Sequence, residues 1–209
     1  MAYSDFLDLI DIEQNFGINN KTVFFTKATV IPNRQASAHL LEDLSLFPFT
    51  LSLFNEKARS EFLITPILKE VWKNNIQRIM LFSGANLDYD KSVGLNGVCD
   101  FLIQKGAFST GVRYPIICLV EAKNQNIGSG IAQCIAEMYA AQQLNKQHDL
   151  NIPFVYGVIT DGQDWYFLRL EGKQAQIDST RYDISNIDQI LGVFDWIIDS
   201  TLAHFPKED

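Results

Sequence analysis

The chain has 209 residues, nearly half of them apolar and few of them Gly or Pro, which excludes a disordered or fibrous polypeptide and suits one domain, residues 1–209, able to bury about 70% of its unfolded surface. A net charge of −8 argues against a nucleic-acid binder with a uniformly basic surface, because phosphate contacts rest on Lys and Arg. No apolar run approaches the ~20 residues of a membrane span, and acids at Asp5, Asp8 and Asp11 replace the basic start of a secretory signal, so a cytoplasmic protein with no membrane contact is expected.

Along the chain, Ser4 precedes an amphipathic stretch over residues 5–13 that predicts a short helix capped by Ser4 and ended by Gly17. Residues 21–31 alternate loosely and predict a strand or hairpin outside the core, and residues 38–46 a helix. Asn55 caps a predicted helix reaching residue 74, in which Phe62, Ile64, Ile67, Leu68 and Val71 form an apolar side and Pro66 a kink. Three strands follow, over 76–83, 97–104 and 116–122, separated by turns rich in Gly, Asn and Asp. Ser129 caps a helix over 130–145. Strands over 154–160 and 165–170 flank Asp161-Gly162-Gln163-Asp164, a hairpin signal. A last helix over 187–202 carries Ile190, Leu191, Phe194, Ile197 and Ile198 along one side. This order predicts an α/β protein, a mixed central sheet with flanking helices.

The chemistry concentrates on two of these strands. Asp100 interrupts Val98-Cys99-Asp100-Phe101-Leu102-Ile103, and Glu121-Ala122-Lys123 ends the run beginning at Pro115. An acid inside an apolar strand needs a partner. Alternation puts Glu121 and Lys123 on one face and Ala122 on the other. A hard divalent cation such as Mg²⁺ takes one or two protein carboxylates and keeps waters and phosphate oxygens, so Asp100 and Glu121 read as a metal site with Lys123 beside it. The plainer alternatives are a strand-edge acid for Asp100 and a surface ion pair for Glu121 and Lys123. By itself Glu61 is a solvated helix acid, Gln133 a helix-surface amide, and Asp88 and Asp90 loop acids.

An acid followed by Glu-x-Lys on the next strand resembles the PD-(D/E)XK nuclease superfamily, whose fold is that of restriction endonucleases. The resemblance spans about residues 55–170 and is nearest to the N-terminal nuclease domain of type I restriction subunits. Glu61, in Arg59-Ser60-Glu61-Phe62-Leu63, matches the Glu that the family's first core helix often contributes. Gln133 stands where one branch carries Gln-x-x-x-Tyr, with Glu137 in place of the Tyr and Cys99 in place of the Pro before the acid. The resemblance implies a restriction-endonuclease-like αβββαβ core, with the N-terminal helix and hairpin and the C-terminal helix as additions. It also implies a Mg²⁺- or Mn²⁺-dependent deoxyribonuclease. Asp100, Glu121 and the Ala122 carbonyl would hold the metal, Glu61 would help directly or through water, Lys123 would orient or deprotonate the attacking water, and Gln133 would hold Lys123 or a phosphate.

Charge is uneven. Residues 161–209 carry ten acidic and four basic residues, leaving −2 for the first 160. Lys57, Arg59, Lys69, Lys73, Arg78, Lys105, Arg113 and Lys123 are the candidates for a basic DNA-facing surface. A second hypothesis follows from the overall acidity: a catalytically weak or inactive member of the fold that works as an interaction subunit through a protein partner or homodimer. Cys99, Cys118 and Cys134 lie in apolar patterns and predict buried reduced thiols. No Cys/His spacing suits zinc, and His39, His148 and His204 are scattered.

Overall fold

The computed structural model describes residues 1–46, 55–106, 108–123, 127–150 and 152–205. Its centre is a mixed sheet built from β1 (Asn19–Val23), β2 (Ile79–Asn86), β3 (Val98–Lys105), β4 (Ile116–Ala122), β5 (Phe154–Thr160), β6 (Asp164–Glu171), β7 (Gln174–Asp178) and the short β8 (Tyr182–Asp183). The strands lie in the order β1-β7-β6-β5-β4-β3-β2, with β8 beside β6. The antiparallel meander β2-β3-β4 meets the β5-β6-β7 meander through a parallel β4-β5 pair. A parallel neighbour needs a crossover, and α5 (Ile127–Gln147) supplies it. The expected mixed α/β architecture is present.

Helices cover both faces. On one side, α2 (Ala38–Ser45), α4 (Thr65–Asn74) and α6 (Ile187–Leu202) pack Leu40, Ile67, Val71, Ile190 and Phe194 against Phe101, Val120, Val158 and Phe167 of the strands. On the other, α1 (Leu9–Phe16) and α5 pack Ile12, Ala136 and Leu144 against Leu102, Leu119 and Leu168. Strands buried on both faces read as continuous apolar runs, and all seven β4 residues are buried. The side chain of Asn145 fixes α5 to the start of β4: its Oδ1 accepts from the Ile116 amide at 2.8 Å and its Nδ2 donates to the Ile116 carbonyl at 2.9 Å.

Several expectations are corrected. The N-terminal helix starts later, because the Asp8 carboxylate accepts the Ile10 and Asp11 amides, while Ser4 sits in a 3-10 turn over Tyr3–Asp5 that buries Tyr3. Gly17 does end the helix, at φ 64°. The segment after it holds β1, an edge strand that pairs in parallel with β7 and is largely exposed, as expected of a strand outside the core. The 55–74 helix is broken as expected near Pro66, but by a wide turn. It runs as α3 (Glu56–Arg59), a π-helical turn Ser60–Ile64, then α4, and the Thr65 amide and hydroxyl both reach the Ser60 carbonyl. Proline has no amide to donate, and such π turns recur at functional sites. β7 and β8 were not anticipated at all. The three cysteines are buried and free, as expected. Among the described residues no helix is long and apolar enough to cross a membrane.

Candidate active site

Antiparallel pairing of β3 with β4 runs to Phe101 opposite Val120. One step further lie Asp100 and the end of β4. There the Asp100 Oδ2 accepts the Ala122 amide at 2.8 Å, so the aspartate is anchored by backbone one residue past Glu121. Burial pushes the Asp100 carboxyl above its ordinary value, and the Ala122 hydrogen bond and the Lys123 charge pull back.

Glu121 is 2% exposed. Its Oε1 lies 2.6 Å from the Lys123 ammonium, and its Oε2 has no hydrogen-bond partner among the described residues. Burial first, and the Asp100 charge second, push Glu121 up to about 7 against the opposing pull of Lys123. Lys123 is under opposing influences. Burial alone would lower its proton affinity and suit it as a base, but the charges of Glu121, Glu56 and Asp100 outweigh burial and the net shift is upward. In this arrangement the charged form is favoured.

The ammonium has a second partner, the Gln133 Oε1 at 3.0 Å, and Gln133 Nε2 in turn donates to Glu137 Oε1 at 3.1 Å. Gln133 and Glu137 are one turn apart on α5, so their side chains share a face. The lysine stem passes α5 at Gly130, where a Cβ would stand 2.9 Å from Lys123 Cγ and 3.2 Å from Ile159 Cγ2. Helical Gly→Ala ordinarily gains ~1 kcal/mol. Gly130→Ala is expected instead to lower the melting temperature and to displace Lys123, which thermal unfolding and a structure of the variant would read directly.

Beside this group opens a cleft of about 280 Å³, between Glu56, Glu61 and Thr65 on the helical side and Ser83, Asp100 and Ala122 on the sheet. The wide turn after α3 brings Glu61 to this rim, where it is exposed and 3.8 Å from Lys57. Arg59 ties the same helix to the β5-β6 turn through the Asp161 carbonyl at 3.0 Å. The sequence-derived candidates therefore fall into two sets. Asp100 is bonded to the Ala122 amide, and Lys123 to Glu121 and Gln133, at the same strand end, while Glu61 borders the cleft with Asp100 and Ala122.

Sequence reasoning missed Glu56, Gly130 and Glu137. Glu137 appeared only as a mismatch to a Tyr, yet it is fully buried, and burial together with the Glu121 charge raises its carboxyl well above the ordinary range. Asp88 and Asp90 are loop acids, holding Lys91 and the Gly97 and Ser92 amides. Most of the candidate basic residues are paired. Lys57 faces Glu61, Arg59 faces Asp161, Lys73 faces Glu70, Arg78 faces Asp199 and Lys123 faces Glu121, so five of the eight cations stand against acids.

Among the described residues no group of three or more His, Cys, Asp and Glu side chains is placed to hold a metal ion. Two carboxylates and a carbonyl with water remain a sufficient protein set for Mg²⁺. No protein-family model matches the chain, and no curated protein matches it either.

Proposed function

We propose that this chain is a divalent-metal-dependent phosphodiester hydrolase of PD-(D/E)XK type, with a restriction-endonuclease-like core, acting on DNA in the cytoplasm. The observation that carries the reading is the meeting of Asp100, Glu121, Lys123 and Gln133 at the end of β4, beside an open polar cleft. The residues fit a cation. Glu121 keeps a buried oxygen without a hydrogen-bond donor among the described residues, and Glu56, Glu61 and Asp100 make the cleft rim acidic, a surface that repels phosphate until a cation neutralises it. Asp100, Glu121 and the Ala122 carbonyl would hold Mg²⁺ or Mn²⁺, with Glu61 placed to add a water-mediated contact. When bound, such an ion lowers the pKa of a coordinated water and stabilises charge on phosphorus.

The protein's own groups do the rest. Lys123, held by Glu121 and Gln133, presents a fixed positive charge to the phosphate and to the negative charge that develops in the transition state. Its contacts with Glu121 and Gln133 support a role in electrostatic stabilisation and water orientation. The second reading, an interaction subunit without catalysis, is favoured by the net charge of −8 and by the paired cations.

Mn²⁺ titration followed by thermal unfolding separates the two. Binding to the native state alone stabilises by mass action, about 2.7 kcal/mol at a hundredfold excess over Kd. The wild type is expected to gain several degrees in Tm, and Asp100→Ala to gain none. Linear and supercoiled DNA at low salt with Mn²⁺ complete the test, since screening of the weak attraction is then least. No Tm shift at millimolar Mn²⁺ together with no cleavage would sink the hydrolase and leave the interaction subunit.

A further inference from the structure

Glu137 is a fully buried acid on α5, and neither the metal-site reading nor the fold explains it. A helix running along an apolar sheet face has every reason to carry Leu or Ala at such a position, as it does at Ala136, Met138 and Ala140. Its Oε1 accepts from Gln133 Nε2 at 3.1 Å, and the other end of that amide accepts from the Lys123 ammonium at 3.0 Å. An amide has two chemically different ends, a carbonyl that only accepts and an NH₂ that only donates. Between an ammonium, which only donates, and a carboxyl oxygen, which accepts, one orientation makes both bonds. The reverse orientation sets NH₂ against NH₃⁺, two groups that only donate. Gln133 is thereby pinned from both ends.

Building on the hydrolase reading, we propose that Glu137 is a positioning residue, which acts through Gln133 to hold the Lys123 ammonium where the phosphate is contacted. The chain Glu137, Gln133, Lys123, Glu121 runs unbroken from the helix interior to the end of β4. The close pass of the Lys123 stem at Gly130 leaves the stem little lateral room, so the head group is set by its two acceptors. Without an acceptor at 137 the Gln133 amide is free to turn, and Lys123 keeps Glu121 alone. A functional side chain must be held within about 0.5 Å of its working position, and partners one layer behind a site commonly change activity by 10–100-fold.

The test uses the whole chain with Glu137→Leu, Glu137→Gln, Gln133→Leu and the double variant Gln133→Leu/Glu137→Leu. Two readouts are taken: cleavage of linear DNA with Mn²⁺, and the ¹⁵N resonance of the Lys123 ammonium without metal, which persists while its protons are held in hydrogen bonds. Both single Leu variants are expected to lose the resonance and to cleave about 10–100-fold more slowly, and the double variant no more slowly than either, as for residues acting in one chain. Glu137→Gln, which keeps an accepting oxygen, is expected to retain both signals. A role confined to packing predicts the opposite ranking, with Leu tolerated and the polar amide not.

The proposal is overturned by a wild type without the ammonium resonance, by Glu137→Leu that keeps it, by Glu137→Gln that loses it, or by losses that multiply in the double variant. Should Glu137→Leu fail to fold, Gln133→Leu and Glu137→Gln decide, and retention in the first or loss in the second overturns it. If the wild type cleaves nothing, the resonance alone decides the positioning role while the hydrolase reading falls. If the wild type cleaves and Glu137→Leu cleaves equally well, the hydrolase stands and the positioning role falls.

Discussion

Lys123→Ala is expected to cut Mn²⁺-dependent DNA cleavage by at least ~10²-fold, the usual scale for losing an electrostatic or acid–base group in a site, while leaving Mn²⁺ affinity unchanged or higher. An ammonium is not a metal ligand. Removing it takes away the contact 2.6 Å from Glu121 Oε1 and frees that oxygen for a cation, so calorimetry with Mn²⁺ should show no weaker binding than in the wild type. Asp100→Ala should abolish binding and cleavage together. The direction of the Lys123 shift adds a second reading of the same experiment. A lysine whose proton affinity is raised by Glu121, Glu56 and Asp100 against the effect of burial stays charged throughout neutral pH, so the wild-type rate should show no rising limb belonging to its deprotonation. Equal trace cleavage in wild type and Lys123→Ala would remove Lys123 from the chemistry.

The strands nearest the site were legible because they are buried on both faces. β4 and β5 are predominantly apolar runs ended by turn residues, and both occupy the expected 116–122 and 154–160. The same holds for α6, whose apolar stripe sets its bounds at Ile187 and Leu202. β7 was missed because Gln174-Ala175-Gln176-Ile177-Asp178 carries three polar side chains. It becomes a strand through what lies beside it: β6 on one side, β1 on the other, and Asp178 accepting the Thr26 and Thr180 amides. At the N-terminus the cap is Asp8 and not the expected Ser4. Burial of Tyr3 and Phe6 in the cluster beneath α5, with the Tyr3 hydroxyl donating to the Leu87 carbonyl, decides for Asp8.

The candidate site divides in the same way. An acid within an apolar strand, and a Glu and Lys sharing a face two residues apart, are local signals that alternation exposes. Gly130 read only as the first residue of a helix capped by Ser129, since its close approach involves Lys123, seven residues earlier at the end of β4. Glu137 carried no local signal, because an acid on a helix is ordinarily solvated and only the packing of α5 on β4 and β5 shows this one to be enclosed. The basic residues misled for the complementary reason. Sequence counts charges, whereas partners such as Asp161 and Asp199, roughly a hundred residues from Arg59 and Arg78, are brought in by the fold.

Stability should fall as pH rises through the range where Glu121 ionises. The folded protein holds the Glu121 proton up to about 7, against an ordinary value of 4.5, chiefly because burial disfavours the charge and Asp100 repels it. A carboxyl raised on folding binds more protons in the native than in the unfolded chain between those two values. Its contribution is therefore fully present below the unfolded value and is lost as pH climbs through the folded one. At 1.36 kcal/mol per unit, the Glu121 contribution amounts to about 3 kcal/mol between pH 4.5 and 8, and the buried Glu137, raised in the same direction, adds to the slope. Urea unfolding at pH 5 and pH 8 should show the wild type less stable at the higher pH, with a smaller difference in Glu121→Gln, whose side chain does not titrate. Mn²⁺ supplies the internal check. A cation binds the ionised carboxylate, so its stabilising effect should grow from pH 5 to pH 8 and flatten the wild-type profile while leaving that of Asp100→Ala as it was. A metal effect equal at both values would mean that Mn²⁺ binds elsewhere and that Glu121 is not among its ligands.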